Sequence, residues 1–493
     1  MNGIQLFLVV FVLHIGCRQA VTNFKPAFHE SDSTTHNIPD GQEFTFGYLE
    51  VLENRDNPES KSIQLPVYIF KSRSESPKPD PIIYTVGGPG YTSMRASQYM
   101  NYYQYLDDRD LILFEQRGNR YAKPYLDCPE WVEANYVSNL PSLNEEAANR
   151  LLTDAAQKCR DRLVTNGVDL NGYNTLQTAA DIADLVQVLG IEEYNLLTMS
   201  YSTKIAQVLM RDYPDGIRSV VMDSPLPLEV NYDEESVRHL LKSLDKLLSD
   251  CESDKDCNSA YPNLKESFHN YLIEKTKNPL LVEVENPETG KQENVYLKGK
   301  DLISIFTSVG TNGVASIPYE INKLLTNDLT SLKKELAYLF QKPGNNKVAI
   351  GARLCVWCSE EYPFNDQEVI KKETSNYPEF ESLSPAVYEQ SVCEAWGVSK
   401  MPAMENEPVK SDIPVLLISG EYDNETPVSW ATAMQKNLTN SFQLIFKGWK
   451  HGPITNWSNT CAMQAANAFF NFPEIKPDLE CMEDIKRPDF RTE

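Results

Sequence analysis

The order of apolar and polar positions predicts a sheet domain interrupted by a long, mainly helical segment. Short apolar runs typical of buried strands alternate with amphipathic, helix-like stretches over about residues 44–222, and the alternation resumes over 414–472. Between them, residues 233–405 read as almost wholly helical and polar. We therefore expect an α/β core with an inserted helical cap. Residues 21–43 are polar, and we expect them to be poorly ordered.

Ser200 lies where a predicted strand meets a predicted helix. The apolar run 195–199 favours a strand, and residues 204–212 favour an amphipathic helix that begins at once. A serine in such a turn stands at the carboxyl edge of a sheet, which is the geometry of a nucleophile elbow. The usual Gly-x-Ser-x-Gly pattern is replaced by Thr198-Met-Ser-Tyr-Ser202. An ordinary serine between strand and helix is therefore the alternative.

A glycine-rich turn supports the elbow interpretation. The apolar run 82–86 leads directly into the tetrapeptide Gly-Gly-Pro-Gly at positions 87–90. Without side chains to block them, backbone N–H groups in such a turn can face an oxyanion. The alternative is a plain glycine turn that ends a strand.

Two later strand-like runs end in residues that would complete the chemistry. Residues 414–419 lead to Asp423, and residues 442–446 lead to His451. Of the six histidines, only His451 follows a core-type strand and precedes a glycine, so it is the natural base for Ser200. Asp423 would orient the imidazole and stabilise its protonated form. A merely structural acid in a strand-end turn is the alternative for Asp423.

These segments together resemble the tripeptidyl aminopeptidase and prolyl aminopeptidase branch of the α/β-hydrolases, which are serine exopeptidases. The resemblance covers about residues 44–481 and includes the elbow with its following helix. Its other segments are 86–90, 110–118, 174–181, 219–224, 418–427 and 448–452. Each segment is weak alone, but their order and spacing together are specific.

The resemblance implies an α/β-hydrolase fold with a mostly parallel central sheet and an inserted, mainly helical cap. It also implies that Ser200 is the nucleophile, Asp423 the triad acid and His451 the base. The N–H groups of Gly88 and Tyr201 then become the oxyanion donors.

The chain departs from the family pattern at three positions. Thr198 and Ser202 occupy positions where the family usually has glycine, and Val86 replaces a histidine. Ser202 is small enough for a tight turn, whereas the β-branched Thr198 is the larger change. None of the three carries the chemistry, so we expect them to affect catalytic efficiency more than reaction type.

Two glutamates in the predicted cap are candidates for binding the substrate amine. An aminopeptidase must recognise a free α-ammonium group, and a dry pocket needs a carboxylate to do so. Residues 358–361, Cys-Ser-Glu-Glu, occupy the place where the family carries Cys-x-Glu. The resemblance therefore implies Glu360 first and Glu361 second. Solvated acids at a helix end are the alternative.

The cysteines indicate an oxidising compartment. Ten are present, nine of them after Cys17. Cys251 and Cys257 could close a small ring, and Cys461 and Cys481 could tie the last helix to the tail. The spacing alone leaves the connectivity open.

The family resemblance implies two further disulfides, Cys128–Cys159 and Cys358–Cys393, and leaves Cys355 unpaired. Cys355 and Cys358 also form a C-x-x-C, which admits a redox or zinc interpretation. A zinc site would need a second Cys/His cluster nearby in the sequence, and none is present. We therefore predict neither a cofactor nor a metal.

Residues 1–20 are typical of an export signal. Residues 6–15 are apolar but too short to span a bilayer, although the segment before them lacks Lys and Arg. Residues 13–17 loosely resemble a lipoprotein box, so Cys17 could carry a lipid anchor. No later stretch has the apolar length of a membrane span. The net charge of −24 excludes a large basic surface for nucleic acid.

We therefore predict a secreted or surface-anchored serine aminopeptidase that acts on peptides with a free amino terminus. The predicted segments are the signal (1–20), a polar segment (21–43), the first part of the core (44–232), the cap (233–405) and the rest of the core (406–493). The alternatives are a short-chain esterase and a catalytically silent binding protein on a hydrolase fold.

Overall fold

A nine-stranded sheet forms the centre of the computed structural model, which describes residues 24–141, 143–342, 344, 348–380 and 386–493. The strands of this sheet and of a separate hairpin are β1 Ala27–Glu30, β2 Phe44–Leu52, β3 Ser62–Phe70, β4 Lys78–Thr85, β5 Arg109–Phe114, β6 Tyr194–Met199, β7 Ile217–Asp223, β8 Leu280–Glu285, β9 Gln292–Leu297, β10 Val415–Gly420 and β11 Ser441–Phe446.

The sheet has the order β1-β2-β3-β5-β4-β6-β7-β10-β11. Strands β5, β4, β6, β7, β10 and β11 run parallel, while β1, β2 and β3 form an antiparallel edge. This architecture confirms the predicted α/β-hydrolase fold. Because carboxyl ends of parallel strands share one edge, the segments after β4, β6, β10 and β11 meet there.

The parallel strands are buried on both faces. Adjacent residues of one strand alternate between two apolar layers, so Leu196 packs in one layer and Leu197 in the other. The Leu196 layer includes the helices that follow residues 174 and 201, and the Leu197 layer includes the helix after residue 460. Each layer covers one face of the sheet.

The helices surround the sheet or form the cap over it. Their bounds are α1 Pro129–Ser138, α2 Glu145–Thr165, α3 Thr175–Leu189, α4 Ser202–Asp212, α5 Tyr232–Ser253, α6 Lys255–Ala260, α7 Leu264–Lys277, α8 Gly299–Thr307, α9 Ile317–Leu325, α10 Thr330–Leu336, α11 Ile350–Val356, α12 Gln367–Ser375, α13 Gln390–Trp396, α14 Val428–Met434, α15 Cys461–Asn471 and α16 Glu480–Glu483.

Two sequence expectations were wrong. The segment between α7 and α8 is not helical, because β8 and β9 form an antiparallel hairpin whose β8 residues alternate buried and exposed. Within the expected disordered segment, β1 pairs with β2 from Ala27 opposite Glu50 to Glu30 opposite Gly47. Four residues are enough for this pairing at the edge of the sheet. The polar composition of residues 21–43 gave no sign of so short a strand.

The disulfide predictions are confirmed. The structure contains Cys128–Cys159, Cys251–Cys257, Cys358–Cys393 and Cys461–Cys481, and Cys355 is a buried free thiol. Because Cys358 is bonded to Cys393, the C-x-x-C motif is not a dithiol that could hold a metal. Several disulfides are typical of proteins that mature outside the cytoplasm.

None of the helices in the described ranges combines the length and apolarity needed to cross a bilayer. The predicted signal at residues 1–20 and the lipidation of Cys17 lie outside the described residues.

A buried charge network joins the end of β5 to α3. Arg117 donates to both carboxylate oxygens of Asp181, at 2.8 and 2.6 Å, and the two side chains are 1% and 0% exposed. Arg55 donates to the same carboxylate at 2.8 Å. Arg117 also donates to the backbone carbonyls of Glu53 and Gly172. The network therefore fixes the antiparallel edge, β5 and α3 to one another.

We expect Asp181→Asn to lower the free energy of unfolding by about 3–5 kcal/mol, because the amide cannot neutralise the buried Arg117. Urea unfolding monitored by fluorescence measures the loss. Asp161→Asn is the control, since Asp161 is 58% exposed, and it should change stability by less than about 0.5 kcal/mol. Equal stabilities of the two variants would contradict the structural role of the network.

Candidate active site

Ser200 occupies a sharp turn between β6 and α4. Its backbone has φ +57°, a left-handed conformation that costs energy for any residue except glycine. The N–H of Ser200 donates to the carbonyl of Asp223 at the end of β7, at 2.9 Å. This bond fixes the turn against the neighbouring strand, and the strain is typical of a functional position.

The two non-glycine residues of the elbow make hydrogen bonds that glycine could not make. The hydroxyl of Ser202 lies 2.8 Å from the carbonyl oxygen of Thr85 and accepts from the N–H of Met199 at 2.9 Å. The hydroxyl of Thr198 donates to the carbonyl of Val221 at 3.2 Å. Both side chains are buried. In this chain the elbow is therefore stabilised by polar side chains that form hydrogen bonds with the adjacent strands.

The glycine turn after β4 packs directly against the elbow. A Cβ on Gly87 would lie 2.6 Å from the carbonyl oxygen of Met199 and 2.8 Å from the nitrogen of Tyr201, so only glycine fits. Gly88 has φ +124°, which also favours glycine. Within the described ranges, the N–H groups of Gly88 and Tyr201 have no hydrogen-bond partner. Two free donors therefore lie near Ser200, as an oxyanion hole requires.

Two polar residues after β5, which the sequence analysis did not single out, hold the glycine turn. Glu115 accepts from the N–H of Ser93 at 2.8 Å and from the hydroxyl of Thr92 at 3.0 Å. Gln116 donates to the carbonyl of Val86 at 2.5 Å. Burial raises the pKa of Glu115 to about 7. Their position directly after a buried strand was the signal by which the sequence could have identified them as site residues.

Asp423 and His451 are hydrogen bonded after β10 and β11. His451 Nδ1 lies 2.8 Å from Asp423 Oδ2. The carboxylate also accepts from the N–H groups of Glu425 and Thr426, at 2.8 and 3.0 Å, and from the Thr426 hydroxyl at 2.8 Å. A buried carboxylate with this many donors is rigidly oriented. The carboxylate of Asp423 binds the imidazole nitrogen Nδ1 of His451 and leaves Nε2 for another partner.

The electrostatics stabilise the carboxylate of Asp423 and the imidazolium that forms when His451 takes up a proton. Burial alone would raise the pKa of Asp423, but His451 and the Thr426 donors outweigh it and hold that pKa below its ordinary value. Burial would lower the pKa of His451, but the charge and hydrogen bond of Asp423 outweigh it and raise that pKa. Glu425 adds to this effect, because its carboxylate lies 3.7 Å from His451 Nε2.

Asp223, which was not predicted as a site residue, connects the elbow to the histidine loop. Its carbonyl accepts from Ser200 N–H, and its carboxylate accepts from the N–H of Ile454 at 2.9 Å. The adjacent Ser224 hydroxyl accepts from the N–H of Gly452 at 2.9 Å. Burial raises the pKa of Asp223 to about 7. These bonds bring the segments of Ser200 and His451 together at the carboxyl edge.

Glu360 and Glu361 lie in a π-helical turn, Trp357–Glu361, and are 3% exposed. Glu360 accepts from the N–H and the hydroxyl of Thr175, at 2.6 and 2.5 Å. The Thr175 hydroxyl also lies 2.8 Å from the phenol oxygen of Tyr201. The two glutamates are therefore not solvated helix-end acids. They reach from the cap to α3 and to the helix of the elbow.

The charges of the two glutamates are not equivalent. Glu361 forms an ion pair with Lys204 of α4, and both side chains are buried. Its Oε2 atom is buried without a hydrogen-bond partner among the residues described. Burial, reinforced by the negative charge of Glu405, raises the pKa of Glu360 to about 8. Burial therefore disfavours the ionised form of Glu360, whereas Glu361 has a cationic partner.

Comparisons with known proteins agree with this architecture. Residues 380–481 match a family model described as "TAP-like protein". The chain is 28% identical over 188 residues to tripeptidyl aminopeptidase of Streptomyces coelicolor, covering 36% of this chain and 34% of that protein. It is 21% identical over 440 residues to serine protease Hip1 of Mycobacterium tuberculosis, covering 82% of this chain and 81% of that protein.

Among solved structures, the proline iminopeptidase of Mycobacterium smegmatis aligns with a TM-score of 0.37 and 12% identity. That alignment covers 84% of this chain and 96% of the other. The sequence comparisons confirm the resemblance to the tripeptidyl aminopeptidase branch of the α/β-hydrolases, and they support a serine hydrolase.

We expect Asp423→Asn to lower the pKa of His451 by about 1–3 pH units, because a neutral amide cannot stabilise the imidazolium. Glu425→Gln should lower it in the same direction by about half to one unit. NMR titration of the imidazole resonances measures both. His269, which lies between Asp245 and Glu379, is an internal control that should not move. An unchanged His451 titration in Asp423→Asn would contradict the pairing.

Proposed function

Because its fold and its relatives support a serine hydrolase, we propose that this chain is an exported serine aminopeptidase. It releases tripeptides, or residues of proline type, from peptides that have a free amino terminus. The observation that carries the proposal is the hydrogen-bonded Asp423–His451 pair at the same edge as the strained Ser200. The free N–H groups of Gly88 and Tyr201 support it.

In the proposed acylation, the Ser200 hydroxyl attacks the carbonyl carbon of the scissile peptide bond. His451 Nε2 takes the hydroxyl proton, and Asp423 stabilises the imidazolium that forms. The N–H groups of Gly88 and Tyr201 donate to the oxyanion of the tetrahedral intermediate. When the intermediate collapses, His451 passes its proton to the leaving amine, and the acyl group stays on Ser200 as an ester.

In the proposed deacylation, a water molecule attacks the ester carbonyl, and His451 takes its proton. The Ser200–acyl bond then breaks, and His451 returns the proton to the Ser200 oxygen. Export is supported by the disulfides, which favour an oxidising compartment.

We expect Ser200→Ala to abolish labelling by a fluorophosphonate probe and to lower kcat by a factor on the order of 10⁶, because the nucleophile is lost. His451→Ala should lower kcat similarly, and Asp423→Asn by about 10⁴-fold. Gel fluorescence and initial rates on a tripeptide anilide measure these effects. Ser253→Ala at the end of α5 is the control, because Ser253 is exposed.

Two results would favour the other candidate functions. Equal labelling of wild type and Ser200→Ala would remove Ser200 as the nucleophile, and no labelling of wild type would favour a silent binding protein. Hydrolysis of short-chain esters without any peptide cleavage would favour an esterase.

The substrate ammonium is proposed to bind Glu360, with Glu361 as the second candidate. Glu360 is supported by its link through Thr175 to Tyr201, the residue that follows Ser200. Glu361 is already neutralised by Lys204, so it has less charge to offer. An ammonium close to Glu360 would favour its ionised form, because an opposite charge lowers the pKa of a carboxyl group.

We expect Glu360→Gln to lower kcat/KM on a tripeptide anilide by about ten- to a hundredfold, because a buried charge-assisted contact is lost. The amide keeps an acceptor for the Thr175 N–H, so the cap contact should survive. The N-acetylated anilide should be a poor substrate of both proteins.

Glu335→Gln is the control for a neutralised cap acid, since Glu335 is exposed. A larger loss in Glu361→Gln, with an intact fold by circular dichroism, would move the assignment to Glu361. Comparable wild-type rates on the free and N-acetylated anilides would contradict an aminopeptidase.

A further inference from the structure

A cavity of about 980 Å³ opens beside the proposed nucleophile. Met199 and Val86 line it, and they immediately precede Ser200 and Gly87. Thr455 and Trp457 line it from the loop that follows His451. Its volume is in the range of sites that bind small molecules and peptides. The cavity therefore borders the segments that carry Ser200 and His451 but is not used by any step described above.

The wall of this cavity is aromatic. The rings of Tyr84, Tyr103, Trp457 and Tyr102 form a chain of contacts, with centroid separations of 6.3, 5.3 and 6.2 Å. Tyr102 and Trp457 are nevertheless 65% and 45% exposed. Adjoining exposed rings are unusual on a folded surface and are typical of binding sites, where they offer large contact areas with few rotamers to fix.

The charge of the cavity is opposite to that of the chain. None of the described residues that line it is acidic, although the chain contains 70 Asp and Glu residues. Among the described lining residues the one cation is Arg95, which is exposed and forms no ion pair with any described residue. An unpaired guanidinium can bind a carboxylate through two parallel hydrogen bonds.

The cavity lies on the opposite side of Ser200 from Glu360. Tyr201, which contacts the partner of Glu360, packs in the apolar layer of α3 and α4. Met199 packs against the other layer, which contains Tyr84, Tyr103 and the residues of α15. A peptide whose amino terminus reaches the cap would therefore pass Ser200 and continue into the cavity.

We infer that this cavity binds the part of a peptide substrate that leaves after acylation. An aromatic or apolar first residue of the leaving peptide packs among the rings, and the carboxylate of a short leaving peptide binds Arg95. The inference rests on the proposed function, since it needs an acyl-enzyme on Ser200.

Acyl transfer to an added amine tests the inference. The acyl-enzyme is formed from a tripeptide methyl ester, whose methanol cannot fill the cavity. The amine of an added dipeptide attacks the ester carbonyl, an amide bond forms, and the bond to Ser200 breaks while the amine proton passes through His451 to the Ser200 oxygen. Chromatography gives the ratio of amide product to hydrolysed acid, which does not depend on how fast the acyl-enzyme forms.

For the wild type we expect a higher ratio of acyl-transfer product to hydrolysed acid with Phe-Gly than with Gly-Gly as the added dipeptide. We also expect a higher ratio with Phe-Gly that has a free carboxylate than with Phe-Gly whose carboxyl end is amidated. Trp457→Ala and Tyr102→Ala should each lower the Phe-Gly ratio by about three- to tenfold and change the Gly-Gly ratio less. Arg95→Gln should lower the preference for the acid over the amide by about two- to fivefold. Tyr296→Ala on β9 is the control, because Tyr296 is 60% exposed and does not line the cavity.

The outcomes separate this inference from the proposed function. If the wild type hydrolyses the ester but Trp457→Ala and Tyr102→Ala keep wild-type ratios, the cavity does not bind the leaving peptide. If the product ratios of the variants differ from wild type only when the residues of the acyl tripeptide are changed, and not when the added dipeptide is changed, the cavity binds the acyl part instead. If the wild type forms no acyl-enzyme and takes no phosphonate label, the proposed function fails, and this inference fails with it.

Discussion

The close approach of the Gly87 turn to the elbow is the constraint on which the rest of the site depends. The clearance there leaves no room for a Cβ, so the turn after β4 is held against Met199 and Tyr201. This contact puts two N–H groups without a partner among the described residues beside Ser200, where Met199 and Tyr201 pack in opposite apolar layers. Glu115, Gln116 and Ser202 supply the hydrogen bonds that hold the turn in place.

The parts of the fold that the sequence predicts are those set by local pattern. Apolar runs identify β4, β6, β10 and β11, and parallel strands bring the residues after them to one edge. The same reasoning failed at β1, a four-residue strand within a polar segment that its pairing with β2 defines. It also failed at β8, where a clear alternation lies within a mostly helical segment.

Long-range contacts could not be predicted in this way, because they depend on which side chains meet after folding. The sequence pointed to Glu360 and Glu361, but their different charges arise from Thr175 and Lys204, about 185 and 157 positions away. Thr198 and Ser202 looked like departures from a glycine pattern, whereas their hydroxyls bind the adjacent strands. In the sequence, Asp223 is likewise an ordinary acid at the end of a strand. Its role becomes visible only in the fold, where its carboxylate accepts from the N–H of Ile454.

The charge distribution around Ser200 gives a physical reason for the direction in which a peptide would bind. On the cap side, Glu361 pairs with Lys204 and Glu405 with Arg211, which leaves Glu360 as the acid without a cationic partner. The described residues that line the opposite cavity include Arg95 and no acid. A short peptide carries a positive amino end and a negative carboxyl end, so the reversed orientation would bring like charges together on both sides. Such repulsion distinguishes the two orientations without any sequence-specific contact. This repulsion would matter most for short peptides, because both of their charged ends lie within the screening distance of the charges on the two sides of Ser200.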